Sequence, residues 1–239
     1  MIRSLVLGTA VLLAVGMMSK EQLANLQKSK RIDINKITYT SQTLDIKADT
    51  VVNGINNYSQ LIIVSANGSK ATVTMHAMNI HGEWEEILST TGHVGEQGVG
   101  EAREGHSKTP RGIFDLSLAF GINDNPGTSL PYTKVDDSHY WVDDVQSKYY
   151  NQFVSTKVIQ PDWSSAEHLI DSKKAYGYCI AIDYNVECIK GLGSAFFLHC
   201  PIGKPTQGCI AIPKEDMIFI LKHINRNCAI VIDTEENLL

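Results

Sequence analysis

Residues 60–66 (QLIIVSA) form an almost unbroken apolar run of strand length, and residues 70–78 (KATVTMHAM) are rich in β-branched positions. Asn67-Gly68 between them is a hairpin signal. His81-Gly82 marks a second turn ahead of a strand over residues 84–88, so local rules alone predict three neighbouring strands. Glycine then recurs densely through residues 92–112 (GHVGEQGVGEAREGHSKTPRG), the composition of loops whose backbone needs positive φ or close approach. Residues 113–118 predict another strand. Residues 121–165 are aromatic and turn-rich with no helical period, a long irregular excursion of the kind that carries function and is expected here to cover a site. Strand patterns return at residues 176–183, 194–199 and 228–232. The helical period appears clearly once: Pro213 lies near a first turn, Glu215 and Asp216 suit the N-terminal dipole, and Met217, Ile220, Leu221 and Ile224 share one face. The pattern therefore predicts a mostly β domain of sandwich or barrel type with one principal helix near residues 213–225.

The N-terminus reads differently. Arg3 precedes an apolar run over residues 5–18, followed by Lys20 and Glu21, which is the order of an export signal and too short to span a bilayer comfortably. Residues 1–19 are thus expected to be a signal peptide cleaved near Gly16 or Ser19, or a retained N-terminal anchor. Residues 20–58 read as a spacer, 59–232 as the folded domain and 233–239 as a tail. A chain of 239 residues, 43% hydrophobic and 20% charged, suits one core with a short extension. Its net charge of -5 supplies no basic field, so nucleic acid is excluded as an expected partner.

Five cysteines are an odd number, which leaves at least one thiol unpaired in a monomer, the expected state. The sharpest chemistry lies in HCPIGKPTQGCIAI, residues 199–212. A thiol is an effective nucleophile as thiolate, and His199, at the end of a strand pattern, could take the proton of Cys209 ten positions on. Gly208 would let a substrate approach, and its amide with that of Cys209 could hold an oxyanion. The same residues also admit a small buried thiol and a satisfied strand-end histidine. A zinc set of Cys179, Cys188, Cys200 and Cys209 has intervals wider than the usual knuckles, so no metal site is expected.

TPRGIF (residues 109–114), FFLHC (196–200) and PTQGCIAI (205–212), with LPY, WVDD, YYN and EHL between them, resemble the YkuD-like L,D-transpeptidases, in particular their exported ErfK/YbiS-related branch. The likeness runs from about residue 59 to 232. It implies a YkuD-like fold, Cys209 as the nucleophile that attacks a peptidoglycan stem peptide, His199 as its base, and Gly208 and Cys209 amides at the oxyanion. Carbapenems are then expected to acylate the thiol, no metal or organic cofactor is needed, and the chain is expected at the cell envelope, periplasm or cell wall. Thr206, Arg111, Trp141 and Asp143 are the substrate-side candidates, Arg111 as a bidentate carboxylate partner and the latter two as a wall. The chain departs from the branch at Ala211, where many members carry Arg or Asn, and at Cys200, where many carry Gly. The alternatives are an L,D-carboxypeptidase, a non-catalytic wall-binding module on the same scaffold, and a peptidase of all-L peptides.

Overall fold

The structure is a computed structural model that describes residues 57–238. The expected export segment and nearly all of the spacer lie outside the described residues. The described chain is mostly β, with one principal helix, as the periodicity predicts.

Three long strands open it: β1 (Gln60–Asn67), β2 (Lys70–Met78) and β3 (Trp84–His93), joined as an antiparallel meander. A two-residue loop closes the first hairpin with Gly68 at φ +59°, the left-handed conformation such loops require. The second turn is held by Asn79, whose side-chain oxygen accepts the amides of His81 and Glu83 at 2.9 and 3.0 Å. The strand predicted to end at residue 88 continues to His93, because Thr90 and Thr91 still pair with β2.

The short strands follow as β4 (Val99–Gly100), β5 (Thr109–Pro110), β6 (Gly112–Asp115), β7 (Ala119–Gly121) and β8 (Tyr132–Lys134). Next come β9 (His139–Trp141), β10 (Phe153–Ser155), β11 (Glu167–His168), β12 (Cys179–Ala181), β13 (Phe197–His199), β14 (Ile210–Ala211) and β15 (Cys228–Thr234). Helix α1 (Lys214–His223) precedes β15, and a short α2 (Glu235–Leu238) follows it. Ten strands make one sheet in the order β6-β15-β1-β2-β3-β14-β13-β12-β7-β8. One apolar cluster draws Ile62, Val73 and Ile230 from one half of that order and Ile180, Leu198 and Ile210 from the other, so the two halves share a core. Met217, Ile220, Leu221 and Ile224 of the helical face pack into the same cluster, as the sequence predicts.

The excursion expected to be irregular instead contributes β9 and β10 to a second, three-stranded sheet, β10-β9-β11, which β11 completes just after it. Its strands are two or three residues long, too short for an alternation to register in the sequence. Rings hold it: Trp141 and Phe153 pack with Phe120 of β7 and Phe197 of β13 in a second cluster on the opposite face of the main sheet. Two predicted strands shorten for a local reason. Residues 175–177 form a 3-10 turn, and Ala195 at φ +57° breaks the extended run ahead of Phe197.

Candidate active site

Strand register sets the thiol and the imidazole on one face. β13 and β14 pair in parallel, Leu198 opposite Ile210 and His199 opposite Ala211. Lateral partners and alternate residues share a face, so Phe197, His199, Cys209 and Ala211 point to one side while Leu198 and Ile210 enter the core. Ten residues of sequence become one diagonal step between neighbouring strands, about 8 Å for ideal strand spacing and rise.

The backbone that presents Cys209 is clamped by two threonines. The buried Thr109 hydroxyl accepts the Gly95 amide at 2.8 Å and donates to the Gly208 carbonyl at 2.7 Å, tying two glycine loops together. The Thr206 hydroxyl donates to the Cys209 carbonyl at 2.6 Å and accepts the Gly208 amide at 3.1 Å. Gly208 sits at φ +147°, where a Cβ would lie 2.5 Å from the Phe196 ring, so both conformation and space require glycine.

The thiol itself lies between a donor and an acceptor. It donates to the Ala195 carbonyl at 3.2 Å and receives the Phe197 amide at 3.4 Å. Ala195 is fixed in its left-handed conformation by Asn151, whose side-chain oxygen accepts the Ala195 amide at 3.2 Å and the Trp141 indole at 2.9 Å. The Asn151 side-chain amide donates to the carbonyls of Tyr184 and Asn185 at 3.1 and 2.9 Å, so one residue of the excursion joins three segments at the thiol.

His199 is buried, and its Nδ1 lies 2.6 Å from the Cys200 carbonyl. A carbonyl can only accept, which places the ring proton on Nδ1 and a lone pair on Nε2. Burial holds the imidazole below its usual pKa, against the opposing pull of the Cys200 carbonyl, and the ring is neutral at neutral pH. Burial also pushes the Cys209 thiol far up, the Glu167 carboxylate adds to that, and the Phe197 amide opposes it. The resting pair is therefore neutral thiol and neutral imidazole. The Tyr176 ring meets His199 edge-on at 5.7 Å, and its hydroxyl donates to Glu167. Burial raises Glu167 to about 7 with the charge of Asp143 assisting, while the Tyr176 hydrogen bond pulls the other way.

Of the residues the sequence singles out, Cys209 and His199 are brought to one face, with no hydrogen bond between them among the described residues. The Gly208 amide is already committed to Thr206, and among the described hydrogen bonds none takes the Cys209 amide, which leaves that single N–H for an oxyanion. Thr206 is buried and spends its hydroxyl on the loop, not on an open surface. Trp141 is buried as well, its ring 4.8 Å from Phe197, and supports the site from beneath. Asp143 belongs to the Glu167 neighbourhood, and its Oδ1 is buried without a hydrogen-bond partner among the described residues. Arg111 is exposed, and its backbone amide donates to Gly100 at 3.0 Å. All five cysteines are free thiols. Sequence reasoning misses Asn151, Ala195, Glu167 and Tyr176. Asn151 and Glu167 stand in the YYN and EHL segments, but nothing local distinguishes a half-buried Glu167 from a solvated one in SSAEH.

No family model matches the chain, and no curated protein does. Among solved structures it is similar to the crystal structure of Mycobacterium tuberculosis L,D-transpeptidase 1, with 12% identity and a TM-score of 0.33. The alignment covers 73% of this chain and 62% of that one, so the chain spans less than two thirds of that protein. Similarity at that TM-score carries no argument about chemistry, which rests on the site's own geometry and on the sequence motifs.

Proposed function

We propose that the chain is an exported cysteine-dependent acyltransferase that acts on peptidoglycan stem peptides as an L,D-transpeptidase. The observation that carries this reading is the placement of Cys209 and His199 on one face of adjacent parallel strands, with the thiol held between Ala195 and Phe197 and the Cys209 amide uncommitted. The TPRGIF and PTQGCIAI resemblance supplies the substrate class.

In this mechanism the Sγ–H bond breaks as its proton passes to the Nε2 lone pair of His199, and the sulfur attacks the stem carbonyl that precedes the terminal D-residue. Approach of the substrate must turn the S–H away from Ala195, which frees the sulfur. The carbonyl oxygen becomes an oxyanion, for which the Cys209 N–H is the available donor. Collapse expels the D-amino acid, whose amine takes the proton back from His199, and leaves a thioester on Cys209. An acceptor amine then replaces sulfur, forming an amide and returning the thiol. Water in the same role gives the carboxypeptidase outcome. Because the thiol and the imidazole both start neutral, proton transfer accompanies attack, in place of a preformed ion pair.

A second reading, a wall-binding module without turnover, draws on the strongly raised Cys209 thiol. One experiment addresses both. The purified, reduced chain is incubated with tetrapeptide stems and, separately, with a carbapenem, and intact mass and released D-amino acid are followed beside Cys209→Ala. The expected result is a single adduct and D-amino acid release in the wild type, with both lost in the variant. A folded wild type that gives neither rules the transpeptidase reading out and leaves the binding module.

A further inference from the structure

Glu167 is a half-buried, desolvated acid in the thiol's surroundings that the proposed reaction does not use. It lies on β11 opposite Trp141 of β9 and accepts the hydroxyl of Tyr176 from the 3-10 turn. Tyr176 in turn sets its ring edge-on against His199 and against Phe197, each at 5.7 Å, so the phenol bridges the acid and the imidazole.

The groups that face Glu167 come from every element around it. Asp143, after β9, contributes negative charge and a buried Oδ1 with no partner among the described residues. Cys179 of β12 and Cys209 before β14 are thiols on which the Glu167 charge acts. His168 belongs to the other side of the strand: it stacks on Tyr140 at 4.4 Å and bonds Asp171 and the Asp137 carbonyl. Among the described residues no Lys, Arg or His forms an ion pair with Glu167. A carboxylate partly desolvated without a cation is costly, and the same group as a carboxylic acid is much less so.

We propose that the Glu167–Tyr176 pair is a positioning element that gates Cys209, permitting the thiol to ionise when Glu167 is protonated and opposing it when Glu167 carries charge. The inference rests on the proposed thiol chemistry for its purpose, but its test needs no substrate. Glu167 exchanges a proton with solvent, the thiol proton still passes to His199, and no bond to Glu167 is made. Two coupled acids then share one titration, so the reactive-thiol profile belongs to the pair. The direction is fixed: removing the carboxylate eases ionisation of Cys209. Removing the Tyr176 hydroxyl takes away a bond that favours the charged carboxyl, raises Glu167 further, and eases the thiol in the same sense.

The test measures iodoacetamide labelling of Cys209 in the full chain from pH 5.5 to 9.5, resolved from the other cysteines by peptide mass, in wild type, Glu167→Gln and Tyr176→Phe. Glu167→Gln is expected to move the profile down by about one unit, which is about tenfold faster labelling on its rising limb. Tyr176→Phe is expected to give a smaller shift of the same sign. Infrared titration of the wild type supplies an independent readout, a carboxylic C=O band that disappears near pH 7 and is missing in Glu167→Gln. Should Glu167→Gln not fold, Tyr176→Phe and the wild-type infrared titration decide. Superimposable profiles in folded variants, a Glu167 band that titrates in the ordinary carboxylate range, or a Cys209 unlabelled at every pH in all three proteins overturns the proposal. Shifted profiles without D-amino acid release keep the gate and remove the transpeptidase; release with unshifted profiles does the reverse.

Discussion

Ala195 occupies a conformation that costs an L-residue roughly 1–2 kcal/mol, and the chain holds it there with a side-chain hydrogen bond from across the excursion. The return is directional: the Ala195 carbonyl faces the Cys209 sulfur and holds its proton away from attack. Ala195→Gly should accept φ +57° without that strain. The expected gain is about 0.5–1 kcal/mol in urea unfolding, with faster labelling of Cys209 because the carbonyl is held less firmly. A loss of stability would show that Ala195 contributes packing that outweighs its strain. At this scale the motif made the thiol legible, since Gly208-Cys209 follows a strand-end His199. Ala195 was not legible, because nothing in GSAFF announces a left-handed alanine. Asn151 was hidden likewise: apart from Trp141, its side-chain partners lie more than 30 residues away.

Elements decide which residues become neighbours, and here the deciding feature is a two-residue strand. β14 is too short to read as a strand by pattern, yet its parallel pairing with β13 is what sets Cys209 diagonal to His199. The long strands β1, β2 and β15 and the helix α1 were legible because each element runs for seven residues or more and carries a sustained apolar pattern. The small sheet β10-β9-β11 was not, since ring packing against Phe120 and Phe197 holds strands that alternation does not specify. The loop after β3 and the loop before β14 depend on Thr109, a strand residue with no exposed surface that joins the Gly95 loop to the Cys209 loop. Thr109→Val keeps the shape and removes the hydroxyl, leaving the Gly95 amide and the Gly208 carbonyl without it. A loss of about 1–3 kcal/mol is expected in denaturant unfolding, with labelling of Cys209 altered more than that of Cys228. Equal changes at both cysteines would mean general loosening in place of a local clamp.

At the scale of the whole molecule, two desolvated titrating groups among the described residues, His76 and Glu167, oppose each other. Burial lowers His76 from 6.5 to about 4 and raises Glu167 from 4.5 to about 7. His76 is neutral in the folded chain and takes a proton on unfolding below pH 6.5, so its contribution is full above 6.5 and is lost as pH falls toward 4. Glu167 behaves in reverse: the folded chain holds its proton more tightly, so its contribution is full below 4.5 and is lost as pH rises through 7. Each shift corresponds to about 3 kcal/mol at most, and the windows overlap between about pH 4.5 and 6.5. Asp136, Asp144 and Asp162 are held below their usual range, and their stabilisation is lost at lower pH, below that window. His199, also held down by burial, adds to the histidine slope, and Asp183, raised by burial, adds to the carboxyl slope, so the slopes offset and wild-type stability should change less with pH across the overlap than that of a variant lacking His76 or Glu167. Glu167→Gln should expose the histidine slope, with the urea midpoint rising from pH 4.5 to 6.5. His76→Gln, whose amide can still reach the Thr74 hydroxyl that His76 bonds at 2.9 Å, should expose the carboxyl slope, with the midpoint falling over the same range. Slopes of the same sign in the two variants would show that one of these groups is not buried as the fold places it. The Glu167 slope also has a functional counterpart, since the pH range in which its charge costs stability is the range in which that charge restrains Cys209.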